Sequence, residues 1–419
     1  MVPEGWKTVR IGDIAQVKGG KRMPKGRPFA EGKTLYPYIR VSNFDNGTVN
    51  TEFLKYVLPD DREKIKSYTI SHKDLYISIA GTIGLVGTVS MELDGAQLTE
   101  NAAKICFKSQ TNFERDYIKY VLSSTIGKSQ IDTAKGVGGG VPKLAIFRIE
   151  NINVPLPPLL EQKKIAAILS SVDYAIQATQ AVIDQTHKVK QGLLQQLLTR
   201  GIGHTRFKQT EIGEIPEKWD VVKIKDACYV NKQSIKSSTD KNYEINYIDI
   251  ASIEYTGCNP ERKKMLLKEA PSRARRVVNC SNILVSTVRP NLRGFTFIEN
   301  AEDNLVCSTG FAVLESKDHY SSRYIYQFVL SDLFLKQVSQ KLVGSNYPAI
   351  NNDDLENVKI IVPDTIEEQK KIAQILSEID SQLECNKNYL FSIQKIKRGL
   401  MQDLLTGRVR VKLDREATT

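Results

Sequence analysis

The sequence predicts an α+β protein: two pseudo-repeated mixed α/β globular domains separated by two long antiparallel coiled-coil helices. Three observations predict it. The string Glu161-Gln162-Lys163-Lys164-Ile165-Ala166 returns as Glu368-Gln369-Lys370-Lys371-Ile372-Ala373, 207 positions later. The same shift carries Asp173 to Asp380, Gly192-Leu193 to Gly399-Leu400 and Leu197-Leu198-Thr199 to Leu404-Leu405-Thr406. A short arm around Trp6 recurs around Trp219, 213 positions on, so the two tryptophans are one position used twice. Self-similarity at a period close to half of the 419 residues means that a whole unit is written twice.

The arms, Pro3–Asp13 and Pro216–Asp226, read as an anchor ring followed by a strand. Between arm and repeated string lie mixed regions. Tyr38–Val41 and Leu75–Ile79 are strand candidates, rich in β-branched and aromatic residues, with Tyr247–Ile250 and Ile283–Thr287 as counterparts. Tyr117–Leu122 and Tyr324–Leu330 read as helical. Lys135–Lys143 is a glycine loop, and Lys341–Pro348 takes its place in the second half. The helices and arms match closely and the globular regions only in outline, as if one scaffold held two different surfaces.

The repeated strings open long helices. A heptad seam runs through Ile165, Ile168, Val172, Ala175, Thr179, Val182, Thr186, Val189 and Leu193. Its twin runs through Ile372, Ile375, Ile379, Gln382, Asn386, Tyr389, Ile393, Ile396 and Leu400. Thr365 and Glu368 form a capping box, Pro158 suits a first helical turn, and Gly201 and Gly407 stand where the helices should end. At about 40 residues each rod is on the order of 60 Å long. A thin stripe on such a rod is buried most economically against its twin. The polar seam positions Thr179, Thr186, Gln382 and Asn386 then fix register. Five segments follow: a first globular domain (1–157), a first helix (158–200), a second domain (201–363), a second helix (364–407) and a loose tail (408–419).

Composition excludes several classes. Hydrophobic content of 41% and charged content of 26% are ordinary for a globular protein. No run of 18 apolar residues spans a bilayer, and Met1–Trp6 is not a signal peptide. The six cysteines (106, 228, 258, 280, 307, 385) have no Cys-x-x-Cys pair and read as reduced cytosolic thiols. The expected location is the cytoplasm. The four histidines (72, 187, 204, 319) have no metal or nucleophile–base spacing. Gly32-Lys33-Thr34 lacks the spacing and leading strand of a phosphate loop. Gly81–Gly87 misplaces the dinucleotide fingerprint and reads as a hairpin loop. Pro363-Asp364 with Glu368-Gln369-Lys370 mimics a nuclease cluster but belongs to a helix start. No Asn-Pro-Pro-aromatic run of an amino-methyltransferase is present. The expectation is a chain without catalytic residues, metal or cofactor of its own.

Net charge of +11 favours a polyanionic partner. The charge gathers in loops: Lys21, Arg22, Lys25 and Arg27 after the first arm, Lys232 and Lys236 after the second, and Arg40 after a strand candidate. Lys135 and Lys143 flank the glycine loop, and Lys341, Asn346 and Tyr347 occupy its partner. Arg289 and Arg293 bracket Pro290-Asn291-Leu292, where the first half has Gly81–Gly84. Such groups bind phosphate, and Arg and Asn can read base edges. A coiled-coil scaffold without DNA, or a stand-alone nucleic-acid enzyme, are the alternatives.

Pro155-Leu156-Pro157-Pro158-Leu159-Leu160-Glu161-Gln162-x-x-Ile165, the Gly-Leu-Leu-x-x-Leu-Leu-Thr close at Gly192–Thr199 (with Met401 in its second copy), and the order arm, variable region, helix, repeated, resemble type I restriction–modification specificity subunits. Ile361–Glu367 departs from the proline-rich opening. The resemblance implies two target-recognition domains, each reading one half of an asymmetric bipartite site in double-stranded DNA. It implies helices that pair and dock two modification subunits, for which the seam residues Ile165, Ile168, Val172, Val189, Leu193, Ile372, Ile375, Ile379, Ile393, Ile396 and Leu400 are the candidates. S-adenosylmethionine, ATP and magnesium would sit on the modification and restriction subunits. The assembled complex would be an adenine-specific methyltransferase and ATP-dependent endonuclease.

Overall fold

The computed structural model describes residues 3–108, 113–134, 142–253, 259–342 and 348–412. The chain forms two compact units, Met1–Gln180 with Asn388–Thr419, and Ala181–Lys387. The first long helix is Leu159–Thr199 and the second Ile366–Leu405. Each unit therefore owns the start of one long helix and the end of the other.

In the first unit, Lys7–Arg10 pairs antiparallel with Asn153–Leu156 and returns the chain to the foot of the first helix. One four-stranded sheet has the order Ala15–Gly19, Ala102–Phe107, Leu75–Ser78, Val86–Gly87, antiparallel throughout. The other has the order Lys55–Tyr56, Pro37–Ile39, Ala96–Leu98, Thr69–Ile70, with a parallel central pair. Helices Arg115–Ser123 and Thr125–Ala134 follow.

The second unit repeats the arm pairing and both four-stranded sheets in the same order, more closely than the sequence outline implies; among the described residues the hairpin Phe44–Asp45 with Thr48–Val49 belongs to the first unit and Phe207–Thr210 with Gly213–Pro216 to the second. Asp220–Lys223 pairs with Lys359–Val362. One sheet is Cys228–Val230, Phe311–Ser316, Ile283–Ser286, Phe295–Phe297. The other is Lys263–Leu266, Glu244–Ile248, Leu305–Ser308, Ala274–Val277, again with a parallel centre. The strings Leu75–Ser78 and Ile283–Ser286 are buried on both faces, which is why they read as unbroken apolar runs.

Helix ends complete each core. In the first unit Ile165 and Leu169, from the start of one long helix, join Leu404 and Leu405, from the end of the other, around Trp6, Ile105, Tyr117 and Val121. In the second, Ile372 and Leu376 join Leu194, Leu197 and Leu198 around Trp219, Phe295, Tyr324 and Phe328. The segments run antiparallel within each unit, as ion pairs show. Asp173 meets Lys397 at 2.5 Å in the first unit, and Asp380 meets Lys190 in the second. Tyr120 and Gln327, on equivalent short helices, each hydrogen-bond to the aspartate of their own unit.

The buried stripe is not the strict heptad. Val189 and Ile396, assigned to the pairing seam, are 45% and 56% exposed, and Val182 and Tyr389 also face outward. Ile183 is buried instead. It lies 18 residues, five full turns of a straight helix, beyond Ile165. A straight helix drifts about 20° per heptad against a 3.5-residue repeat, so a strict heptad leaves the contact face after three or four periods. Ile165, Ile372 and Ile393 are buried. Ile168, Val172, Leu193, Ile375, Ile379 and Leu400 are half-buried.

The capping box is also only half made. Thr365 Oγ1 accepts the Glu368 amide at 3.3 Å, but the Glu368 carboxylate turns elsewhere. It accepts Trp219 Nε1 at 3.1 Å and the Ile202 amide at 3.1 Å, and lies 2.8 Å from His204 Nε2. Glu161 does the same in the first unit, taking Trp6 Nε1 at 3.2 Å and Arg410 Nε and Nη2 at 2.6 and 2.8 Å. Each arm is thereby tied through one carboxylate to the residues that follow the long helix ending in its own unit. Residues 408–411 are consequently no loose tail: Arg410 also donates to the Glu4 carbonyl, and Val411 packs on the core. Gly201 and Gly407 end the helices with φ of +64° and +70°, the left-handed step that glycine takes freely.

Candidate nucleic-acid interface

In each unit the loops at one end of the sheets are laced into a rim by backbone hydrogen bonds. In the first unit the Lys21 amide donates to the Leu98 carbonyl at 2.8 Å, and Ile79 and Ala80 donate to Asn101 O. Ala80 bridges Lys143, and Arg40 follows directly on Pro37–Ile39, whose last residue pairs with Leu98. Lys21, Arg22, Arg40, Lys143 and the turn Gly81–Gly84 thus gather around residues 98–102. In the second unit Thr287 donates to Gly310 O, Arg289 to Pro348 O at 2.7 Å, and Thr309 to Arg273 O, while Val288 bridges Ala349. Arg273 and Arg289 gather around residues 308–310 there.

Lys21, Lys25, Lys143, Lys236 and Arg289 are exposed on loops. Several of the basic side chains are held from within the protein. Arg27 Nε lies 2.8 Å from both oxygens of Asp61, holding that carboxylate below its usual range. Arg22 pairs with Glu100 at 2.5 Å, Lys232 with Glu315, Lys341 with Asp354 at 3.4 Å, and Arg293 with Asp332 and the Leu330 carbonyl. Arg40 Nη2 donates to Phe53 O. Exposed ion pairs hold little energy and exchange readily for phosphate. Arg27 is the exception, since Asp61 has no exposed side-chain surface and binds it on both oxygens. Lys135, Asn346 and Tyr347 lie outside the described residues. The sequence patterning does not mark Arg273, although the basic run Arg273-Ala274-Arg275-Arg276, which opens the strand Ala274–Val277, is a signal for it.

The pattern that matches type I restriction modification DNA specificity domains occurs twice, at residues 3–186 and 216–395. The chain belongs to that family. It is a type I restriction–modification specificity subunit with two target-recognition domains. It is 30% identical to the type I restriction enzyme MjaVIII specificity subunit of Methanocaldococcus jannaschii, over 98% of this chain and 94% of that one. The fold is that of the type I restriction–modification S subunit from M. genitalium, with a TM-score of 0.61, 14% identity and coverage of 99% and 97%. A chain from a study of assembly and conformational transition in a type I system matches with a TM-score of 0.55, 19% identity and coverage of 98% and 100%.

Among the described residues of this specificity subunit, no group of three or more His, Cys, Asp or Glu could hold a metal. Burial pushes the Cys106 thiol up to about 11, and Cys228 and Cys307 up to about 12, which keeps them protonated and poor nucleophiles. Cys258 lies outside the described residues. No described helix is long and apolar enough to cross a membrane.

Proposed function

We propose that this specificity subunit is a non-catalytic reader and assembly platform working in the cytoplasm. Each rim reads one half of an asymmetric bipartite site in duplex DNA. The long helices set the gap between half-sites and dock two modification subunits. Those subunits carry S-adenosylmethionine and adenine methylation, and restriction subunits add ATP- and magnesium-dependent translocation and cleavage.

The observation that carries the reading is the pair of rims: one backbone plan, built twice, presenting different side chains. Exposed cations there neutralise phosphates and hold register, while side chains that differ between rims read different bases. Two readers joined by stiff helices suit half-sites about one helical turn, roughly 34 Å, apart. The docking role is supported by residues turned away from the buried stripe. Val182 and Val189 on the first helix and their counterparts Tyr389 and Ile396 on the second are all exposed apolar groups. Like positions on both helices suit two copies of one partner.

The test is to sequence methylated positions in DNA from cells with and without this chain. Modified adenines should vanish with the chain and lie in two short strings separated by an unread gap. One uninterrupted motif, or an unchanged pattern, would sink the reading.

A further inference from the structure

We propose that Phe53 of the first unit recognises the methyl group of a thymine in the major groove, and that Arg40 positions it. This rests on the DNA-reading function proposed above and adds to it a residue and the base that it reads.

Strand register places Phe53 on the rim of the first unit. Pro37–Ile39 runs parallel to Ala96–Leu98, with Ile39 against Leu98, and the Thr99 amide donates to the Ile39 carbonyl at 3.0 Å. Lys55–Tyr56 pairs antiparallel on the other side of Pro37–Ile39, with Lys55 against Tyr38. Arg40, two residues after Tyr38, and Phe53, two before Lys55, therefore stand at the same end of the sheet. Arg40 Nη2 donates to the Phe53 carbonyl there, at 3.0 Å. Lys21 belongs to this end as well: its amide donates to the Leu98 carbonyl, and its own carbonyl accepts the Tyr38 hydroxyl at 2.8 Å.

The loop that carries Phe53 is held from behind. Buried Asn43 accepts the Arg40 amide at 3.0 Å with its side-chain oxygen, and its side-chain nitrogen lies 3.5 Å from the carbonyls of Asn50 and Phe53. The Asn50 amide returns to the Asn43 carbonyl at 2.8 Å, and Asn50 Oδ1 accepts the Glu52 amide at 2.8 Å. Val49 and Leu54, on either side, pack against the cluster around Ile39, Tyr76 and Leu98. Phe53 does not follow them inward, and 69% of its surface is exposed. A loop already ordered in this way loses little freedom on binding. The exposed stretch Asn50–Phe53 contains no cation, so it gains nothing from phosphate, which repels Glu52. What it offers a duplex is contact with a base edge. Among the base edges of the major groove only that of thymine carries an apolar group, the C5 methyl, and phenylalanine is one of the side chains that meet it. Arg40 acts through the loop rather than on a base, since its Nε is buried and its Nη2 holds the Phe53 carbonyl.

The test uses the full chain to select duplexes from a randomised pool. Each thymine of the enriched two-part motif is then replaced singly by uracil, which removes the methyl and keeps the base pair. For the wild type, uracil at one position of one half should weaken binding about fourfold, the weight of one methyl group withdrawn from water. Phe53→Ala should bind the thymine and uracil duplexes equally. Because the side chain is exposed, this variant should melt within about 2 °C of the wild type. Arg40→Met, which releases the Phe53 carbonyl, should shrink the same ratio, and a ratio unchanged in it overturns the positioning role. A wild type indifferent to uracil at every thymine, or a Phe53→Ala variant that keeps the wild-type ratio, overturns the assignment of Phe53 while leaving the reader function standing. A wild-type chain that enriches no motif overturns the reader function, and this inference with it.

Discussion

The joints of the two units agree where the rims do not. Trp6 and Trp219, Glu161 and Glu368, Asp173 and Asp380, and Lys397 and Lys190 stand in equivalent contacts. Gln162 caps the short helix of the first unit by accepting the Glu114 amide at 2.8 Å, and Gln369 accepts the Ser321 amide at the same distance. These groups hold the unit together. At the rims, one turn is built on Gly81 and Gly84 and its equivalent on Arg289 and Arg293. A duplicated scaffold keeps what closes its core and alters what faces outward. The few joints where the copies differ chemically are the places to ask which contacts the scaffold needs.

The tryptophan joint should give the largest effect. Trp219 has no exposed surface and its ring meets His204 edge-on at 5.7 Å, whereas Trp6 lies beside Arg410. Trp219→Ala should cost about 3–5 kcal/mol, the usual range for emptying a large aromatic site in a core. Hydrogen exchange locates the loss: amides of Asp220–Lys223 and Lys359–Val362 should lose protection, while Lys7–Arg10 keeps its own. Trp6→Ala should produce the mirror image. Equal deprotection of both units by either variant would show that the copies do not fold as separate cores.

Much of the scaffold was legible in the sequence. The 207-residue repeat fixed two long helices with ends close to those observed, because a string that long repeats only with its structure. Leu75–Ser78 and Ile283–Ser286 declared themselves through β-branched runs. What stayed hidden depends on contacts far apart in the chain. Glu368 sits where a capping glutamate belongs, and nothing local reveals that Trp219 and His204 claim its carboxylate. Periodicity marks a stripe without saying which globule covers it, so the exchange of helix ends between units was invisible. The rims were legible as basic loops, but a sequence cannot tell Arg27, bound by buried Asp61, from Arg289 on an exposed turn.

The exchanged helix ends can be tested through their ion pairs. Lys190–Asp380 and Lys397–Asp173 are partly shielded, so each should show a coupling of about 1 kcal/mol in a double-mutant cycle with alanine. The two values should agree within about 0.5 kcal/mol, since the second ligand of each aspartate is also a hydrogen-bond donor. A coupling in one unit alone would mean that the antiparallel contact is maintained in only one copy.

The smallest effect concerns acid. In the first unit Asp94 accepts the His72 amide at 2.7 Å and the Ser71 hydroxyl at 2.9 Å, and these bonds, with the His72 ring, pull its carboxyl down to about 2. At the place of His72 the second unit has Cys280, whose thiol donates to the Glu299 carbonyl. A carboxylate whose folded pKa is depressed stabilises the fold above its unfolded value, about 3.9. That contribution fades as pH falls from there toward about 2. Asp94 is well exposed, so solvent screens the effect and the shift in melting should be slight. Asp94→Asn should therefore lower the stability of the first unit a little at pH 6 and leave it nearly unchanged near pH 2. Cys280→Ser should give no such pH dependence in the second. Hydrogen exchange at the two pH values decides it: an Asp94→Asn variant equally weakened at both would mean that packing of the loop, not the charge on Asp94, distinguishes this corner of the first unit from the second.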